Sequence, residues 1–277
     1  MTLVKLIDFL GRGKNNLLKI AIAKHCCKQI ASSVFAISTL TIVSVQAAYA
    51  AQIFFGEDIN TTATGNNENA VRIPHPNADI ARNAFFSNLQ GVKTETFETF
   101  APNSIITTLN FGTDTAFLSP GLPVVNIPTG TLNGTFPISG NQTVGTNTGT
   151  STVFRIDFSS PQKAFGFYVT DVEIPNNLSL RFLLSDGLST IDRPVPTQAG
   201  TGGANNTGSV TYFGVIDTNN PFISVSFIRN LNTDDGLALD DFTIASTSQI
   251  NVPEPSSILG IVSLGVLGIG AALKRKL

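Results

Sequence analysis

The chain has no tryptophan, and of its three tyrosines only Tyr168 and Tyr212 lie beyond residue 50. Broad amphipathic aromatic faces, the usual platforms for sugars, are therefore scarce. Its two cysteines are the adjacent Cys26 and Cys27. Everything after them can form no disulfide, thiolate nucleophile or zinc–thiolate centre. Beyond residue 50 the only histidine is His75, set between Pro74 and Pro76 in an aperiodic stretch. A Ser-His-Asp triad built on it has no visible partners, and a surface histidine is expected instead. Charge is also sparse, at 13% of residues.

What is present is concentrated at the two ends. Lys5, Arg12, Lys14, Lys19, Lys24 and Lys28 form a basic region, Ile30 to Val45 is apolar, and Ala48-Tyr49-Ala50 is a small-x-small site. This order predicts a secretory signal helix over residues 1–50, cut before Ala51 by signal peptidase. At the other end, Val252-Pro253-Glu254-Pro255-Ser256-Ser257 precedes a run of 16 residues from Ile258 to Leu273 that carries no charge. With its flanks the run approaches the ~17–25 residues needed to cross a bilayer, and a transmembrane helix is expected. Lys274, Arg275 and Lys276 then form a basic membrane stop that favours the cytoplasmic side. Pro253 and Pro255 keep the preceding motif extended.

This succession of Pro-Glu-Pro, apolar run and basic stop resembles the PEP-CTERM sorting signal of bacterial surface proteins. The resemblance implies an exosortase, a membrane protease, as partner. It also implies an anchor that holds the protein to the membrane at least transiently, before release to the cell surface or the extracellular space.

Setting both ends aside changes the charge. Six of the 17 Lys+Arg precede Ala51 and three follow Leu273, while only Asp8 and Glu254 of the 19 Asp+Glu lie outside. The body thus keeps eight cations and 17 anions, a net charge of −9. Such a body is unsuited to nucleic acid, whose binding rests on Lys and Arg neutralising phosphates. It is compatible with divalent cations, and equally with simple solubility.

The body is long enough for one domain with its own core. Residues 51–78 read as an extended lead-in. Residues 79–248 read as the β-rich body, beginning with a short helix over 79–89 capped by Asp79. Residues 249–257 read as a linker containing the sorting motif, and 258–277 as the anchor and tail. From Thr94 the apolar period is two: Phe154, Ile156 and Phe158; Phe165, Phe167 and Val169; Leu178, Leu180, Phe182 and Leu184; then 210–217, 223–229 and 236–245. Residues 120–151 and 194–209 read as loops. The fold class expected is mainly β, an antiparallel jelly-roll-like β-sandwich with one short helix.

Chemistry has few places to sit. Residues 230–241 gather oxygen-bearing side chains, but Gly236 falls one place late for an EF-hand and Asp241 stands where a bidentate Glu belongs. Strand parity is more informative. Leu237 and Leu239 share one parity, Phe242 and Ile244 the other. A β-bulge at Asp240-Asp241 would produce this slip. Phe97-Glu98 with Asp240-Asp241 resembles the pair that holds calcium in jelly-roll adhesion and carbohydrate-binding modules, most closely the MAM-type adhesion domain, whose cysteines are missing here. The resemblance implies a structural calcium site on Glu98, Asp240 and Asp241. Glu95, Glu98 and Glu173 are candidates for glycosidase carboxylates, but nothing in the sequence pairs two of them across a cleft.

Short pieces along the body also resemble a recurring type of PEP-CTERM surface protein. They are Arg82 with Phe85-Phe86-Ser87-Asn88-Leu89, Glu95-Thr96-Phe97-Glu98, Phe165-Gly166-Phe167-Tyr168, Tyr212-Phe213-Gly214 and Asp240-Asp241-Phe242-Thr243-Ile244. The expected function is a noncatalytic structural or interaction role at the cell surface or in the extracellular matrix. The alternatives are a carbohydrate-binding module for surface polysaccharide, carrying a structural calcium ion, and a glycan-active hydrolase.

Overall fold

The computed structural model describes residues 51–62, 71–146, 152–172, 174–175, 177–199, 207–229 and 236–251. The expected signal helix, the Ala48–Ala50 site, the sorting motif at 252–255, the anchor with its basic stop, and Glu173 lie outside them, as does the whole 230–235 stretch. Among the described residues no helix is long and apolar enough to cross a membrane.

The body is mainly β with one α-helix. The strands are β1 (Gln52–Asp58), β2 (Thr94–Glu95), β3 (Ile105–Asn110), β4 (Thr115–Asn126), β5 (Gln142–Thr146), β6 (Thr152–Gln162), β7 (Ala164–Thr170), β8 (Leu178–Leu184), β9 (Thr190–Pro194), β10 (Val210–Ile216), β11 (Phe222–Arg229) and β12 (Leu237–Ala245). The helix α1 is Pro76–Phe86. The strands form one curled antiparallel sheet in the order β1-β10-β7-β12-β5-β4-β6-β11-β8-β9, with β2 on β12 and β3 on β4. Strand β4 makes the curl. Its first part, 116–119, pairs with β6, and its last part, 124–126, pairs with β5. The cis Ser119–Pro120 bond lies between them. The layers are thus halves of one continuous, sandwich-like sheet.

Period-two alternation explains what fills the curl. Phe154, Phe165, Phe167, Phe227 and Phe242 all point inward and are fully buried. The ring of Phe227 on β11 stacks on Phe154 of β6 at 4.3 Å and meets Phe167 of β7 edge-on at 5.0 Å. Phenylalanine thereby does the core filling that tryptophan does elsewhere, with about 0.5–1.5 kcal/mol per ring pair beyond simple burial.

A second core lies where α1 packs on β1, β10 and β7. Ala78, Ala81 and Phe85 face the sheet. Gly166 and Gly214 stand directly opposite each other on β7 and β10. A Cβ on Gly214 would lie 2.8 Å from the Phe85 ring, and one on Gly166 would lie 2.4 Å from Tyr212 Oη. Bare backbone at these two positions lets the helix approach.

Four sequence expectations shift. The lead-in contains β1, paired along its whole length with β10. The stretch 120–151 is not all loop, because β4 runs through Pro120 to Asn126 and β5 follows. The helix begins three residues earlier than expected, with Pro76 in its first turn and His75 at its N-cap. Asp79 does not cap it. The capping carboxylate is Asp58, at the end of β1, whose Oδ2 accepts the Ala78 N–H at 2.9 Å and whose Oδ1 accepts the Asn77 N–H at 3.3 Å. Finally, residues 249–251 are docked on the body and do not act as a free linker.

Candidate functional site

Strand β12 carries the expected irregularity. Its pairing with β7 slips between Asp240 and Thr243. Asp241 takes up the extra residue at φ +53, a left-handed conformation that Asp tolerates better than most residues. The bulge turns both Asp240 and Asp241 away from the phenylalanine core. Just after β2, the Phe97 that precedes Glu98 also sits at positive φ, +64, which is costly for a bulky residue. Both halves of the Phe97-Glu98 and Asp240-Asp241 pair therefore hold strained backbone at one place in the fold.

They meet around a turn that the sequence reading treated only as loop, Ile138-Ser139-Gly140-Asn141-Gln142. Asp240 Oδ2 accepts the N–H groups of Ile138 at 2.7 Å and Ser139 at 3.0 Å, and its Oδ1 accepts the Asp241 N–H at 2.8 Å. Asp241 Oδ1 accepts the Ser139 hydroxyl at 2.6 Å. Glu98 Oε1 accepts the N–H groups of Asn141 at 2.9 Å and Gln142 at 2.6 Å. Gly140, at φ +57, leaves room for this carboxylate: a Cβ there would lie 2.3 Å from Glu98 Cδ. The Gly140-Asn141 pair was the available sequence signal for a tight turn.

The electrostatics follow from burial. Asp240 is 1% exposed. Loss of water, then the neighbouring Asp241 charge, pushes its carboxyl well above the usual carboxylate range, against the pull of its three N–H donors. Asp241 is raised as well. Burial is the main cause and Glu98 adds to it, while Ser139, Arg82 and His75 act the other way.

Asp240 has both oxygens committed to backbone donors, so it serves the turn itself. The remaining oxygens are Glu98 Oε2, Asp241 Oδ2 and the side-chain oxygen of Gln142. Gln142 donates its amide to the Glu98 carbonyl at 3.1 Å, yet its buried Oε1 has no hydrogen-bond partner among the described residues. The residue whose backbone holds the Glu98 carboxylate thus also carries an orphaned buried amide oxygen, a type of oxygen that hard cations accept as ligand. Among the described residues no group of three His, Cys, Asp or Glu side chains converges as a metal cluster.

Beside this turn lies a polar cluster that the sequence did not reveal. Tyr168 is paired with Asp240 across β7 and β12 and donates its hydroxyl to Asp79 Oδ1 at 2.6 Å. His75 Nδ1 lies 3.0 Å from the same oxygen. His75 is thus part of the helix anchor, and Asp79 binds the sheet from inside the first turn. Tyr168 and Tyr212 are both buried and offer no face to a ligand. Glu95 folds back on its own strand, its Oε1 accepting the Phe97 N–H at 3.0 Å.

No curated protein matches the chain. Among solved structures, the K2 cleaved adhesin domain of Lys-gingipain is 14% identical over 56% of this chain and 98% of its own, with a TM-score of 0.34. A family 29 carbohydrate-binding module is 11% identical over 73% of this chain and 99% of its own, with a TM-score of 0.24. The family 11 carbohydrate-binding module of a cellulosomal cellulase of Clostridium thermocellum is 11% identical over 57% of this chain and 95% of its own, with a TM-score of 0.22. Residues 251–276 match the PEP-CTERM protein-sorting motif. That motif implies export and handling by an exosortase, and the chain carries it.

Proposed function

We propose that this protein is an exosortase-sorted component of the cell surface or extracellular matrix whose body has a noncatalytic structural or interaction role. The observation that carries this reading is the sorting motif itself, whose first residue, Asn251, is docked on the body. Fractionation of producing cells tests it. The protein should leave the membrane fraction only when an exosortase is present, and release without one would sink the reading.

A second reading is a carbohydrate-binding body stiffened by calcium. Two observations favour it. One is the orphaned Oε1 of Gln142, the residue whose backbone N–H holds the Glu98 carboxylate. The other is Phe117, 52% exposed on β4 and paired with Asp157 on β6, on the sheet face opposite the core. Calcium would be held by Glu98, Asp241 and Gln142 and would fix the 138–142 turn. Addition of calcium should then raise the melting temperature of wild-type protein and leave Glu98→Gln unmoved. An unchanged wild-type melting temperature removes calcium from the account. A glycan array with wild-type and Phe117→Ala protein addresses the sugar. The hydrolase alternative needs a second carboxylate facing Glu98, and a glycan-hydrolysis activity lost in Glu98→Gln would revive it.

A further inference from the structure

The last described residues are tied to the body more firmly than a linker would be. After β12 the chain makes a 3-10 turn over Thr247–Gln249, closed by a reciprocal Ser246 and Gln249 capping box. Gln249 also donates its side-chain amide to the Gly91 carbonyl at 2.9 Å. Ile250 is buried in the helix-side core and forms a bridge with Leu89. Around that bridge the Gln90 N–H donates to the Gln249 carbonyl at 2.9 Å, and the Asn251 N–H to the Asn88 carbonyl at 2.8 Å. The Asn251 side chain donates to the Leu89 carbonyl at 3.1 Å and the Ser87 carbonyl at 3.4 Å. Residues 246–251 thus form a strap across the segment that follows α1.

The first residue of the sorting motif lies in the strap. The matched segment opens at Asn251, and Val252-Pro253-Glu254-Pro255 follows at once. Only residues 252–257 separate Asn251 from the apolar run that begins at Ile258. At a maximum of ~3.6 Å per residue they reach about 22 Å. A protease working beside the apolar run therefore works beside the folded body.

We propose that the strap 246–251 sets the upstream limit of sorting-tail processing. Cleavage requires a segment that can leave its hydrogen bonds and enter a protease as an extended strand. The strap denies this to every peptide bond up to Asn251, so cleavage is confined to the C-terminal side of that residue. This proposal rests on the exosortase reading for its setting, but its physical content is local protection.

Two measurements on the full chain test it. Mass spectrometry of the exported protein should place the new C-terminus within 251–257. In Asn251→Ala and Gln249→Ala the ends should become ragged and move upstream. Wild-type ends upstream of Asn251, or variant ends identical to wild type, overturn the proposal. If producing cells leave the tail uncut, the exosortase reading fails, and the strap is judged on the purified full chain with subtilisin. There, each substitution should speed cleavage within 246–251 about tenfold, the effect of losing roughly 1.4 kcal/mol of local hydrogen bonding. Equal rates in wild type and variants overturn the proposal in that setting too.

Discussion

Asp240 is the side chain on which the 138–142 turn depends, and its replacement separates two opposing effects. Asp240→Ala removes the acceptor of three N–H groups, those of Ile138, Ser139 and Asp241. Each unmet buried donor costs about 1–3 kcal/mol. Ile138 and Ser139 are only partly buried, so water recovers some of this, and a total near 3 kcal/mol is expected. For a body of this size that lowers the melting temperature by roughly 6–12 °C. Asp240→Asn behaves differently. Its amide oxygen still serves Ile138 and Ser139, while its NH₂ meets the Asp241 N–H, donor against donor, at a cost of about 1 kcal/mol. Removal of a buried charge offsets that cost, so the Asn variant should lie within about 1 kcal/mol of wild type at neutral pH. The pH profile gives the sign. Burial raises the Asp240 carboxyl above its ordinary 3.8, so in the window above 3.8 the folded protein holds a proton that the unfolded chain has lost. Stability is greatest below that window and declines as pH rises through it to the folded value. Thermal unfolding by circular dichroism from pH 4 to 8, with EDTA present, should show this decline in wild type and a flatter profile in Asp240→Asn. If Asp240→Ala costs less than about 1 kcal/mol, or if the Asn profile keeps the wild-type slope, the account of this site is wrong.

Three further predictions concern how the helix is seated. Asp58→Ala should destabilise the body by about 1–2 kcal/mol, because the first turn of α1 loses its acceptor, and Asp58→Asn should recover part of the loss; chemical denaturation measures both. Tyr212 Oη is buried without a hydrogen-bond partner among the described residues, so Tyr212→Phe should stabilise by about 1 kcal/mol. Gly166→Ala should destabilise by about 1–3 kcal/mol through overpacking, and should recover in part when combined with Tyr212→Phe, which removes the hydroxyl its Cβ would strike but leaves the Phe85 ring 3.0 Å away. A double-mutant cycle that shows simple additivity would refute the close approach.

Much of the β-structure was legible because one face of each strand is buried. The alternation at Phe154-Ile156-Phe158 and at 178–184 survives directly as β6 and β8. The bulge at Asp240-Asp241 could be read from parity alone, since a single extra residue flips every later side chain. What failed was local inference about segments whose partners are distant. Gln52–Asp58 has the look of a lead-in until β10 pairs with it. Pro120 and Gly121 look like loop residues until β4 is seen to cross there from one half of the sheet to the other. The helix start was misplaced because its cap, Asp58, comes from another element.

The sequence alone determined the sorting motif at 251–276 and, ahead of it, an acidic body of period-two strands without cysteine. These depend on composition, order and spacing, which are one-dimensional properties. Tertiary structure alone decided how the pieces meet. It brought Glu98, Asp240 and Asp241 to a common turn, then divided them, committing Asp240 to backbone donors and leaving Gln142 Oε1 as the unmet oxygen. It also tied Asn251, the first residue of the sorting motif, to the residues after α1. Hydrogen-bond satisfaction is a property of groups brought together from far apart in the chain, and no local pattern encodes it.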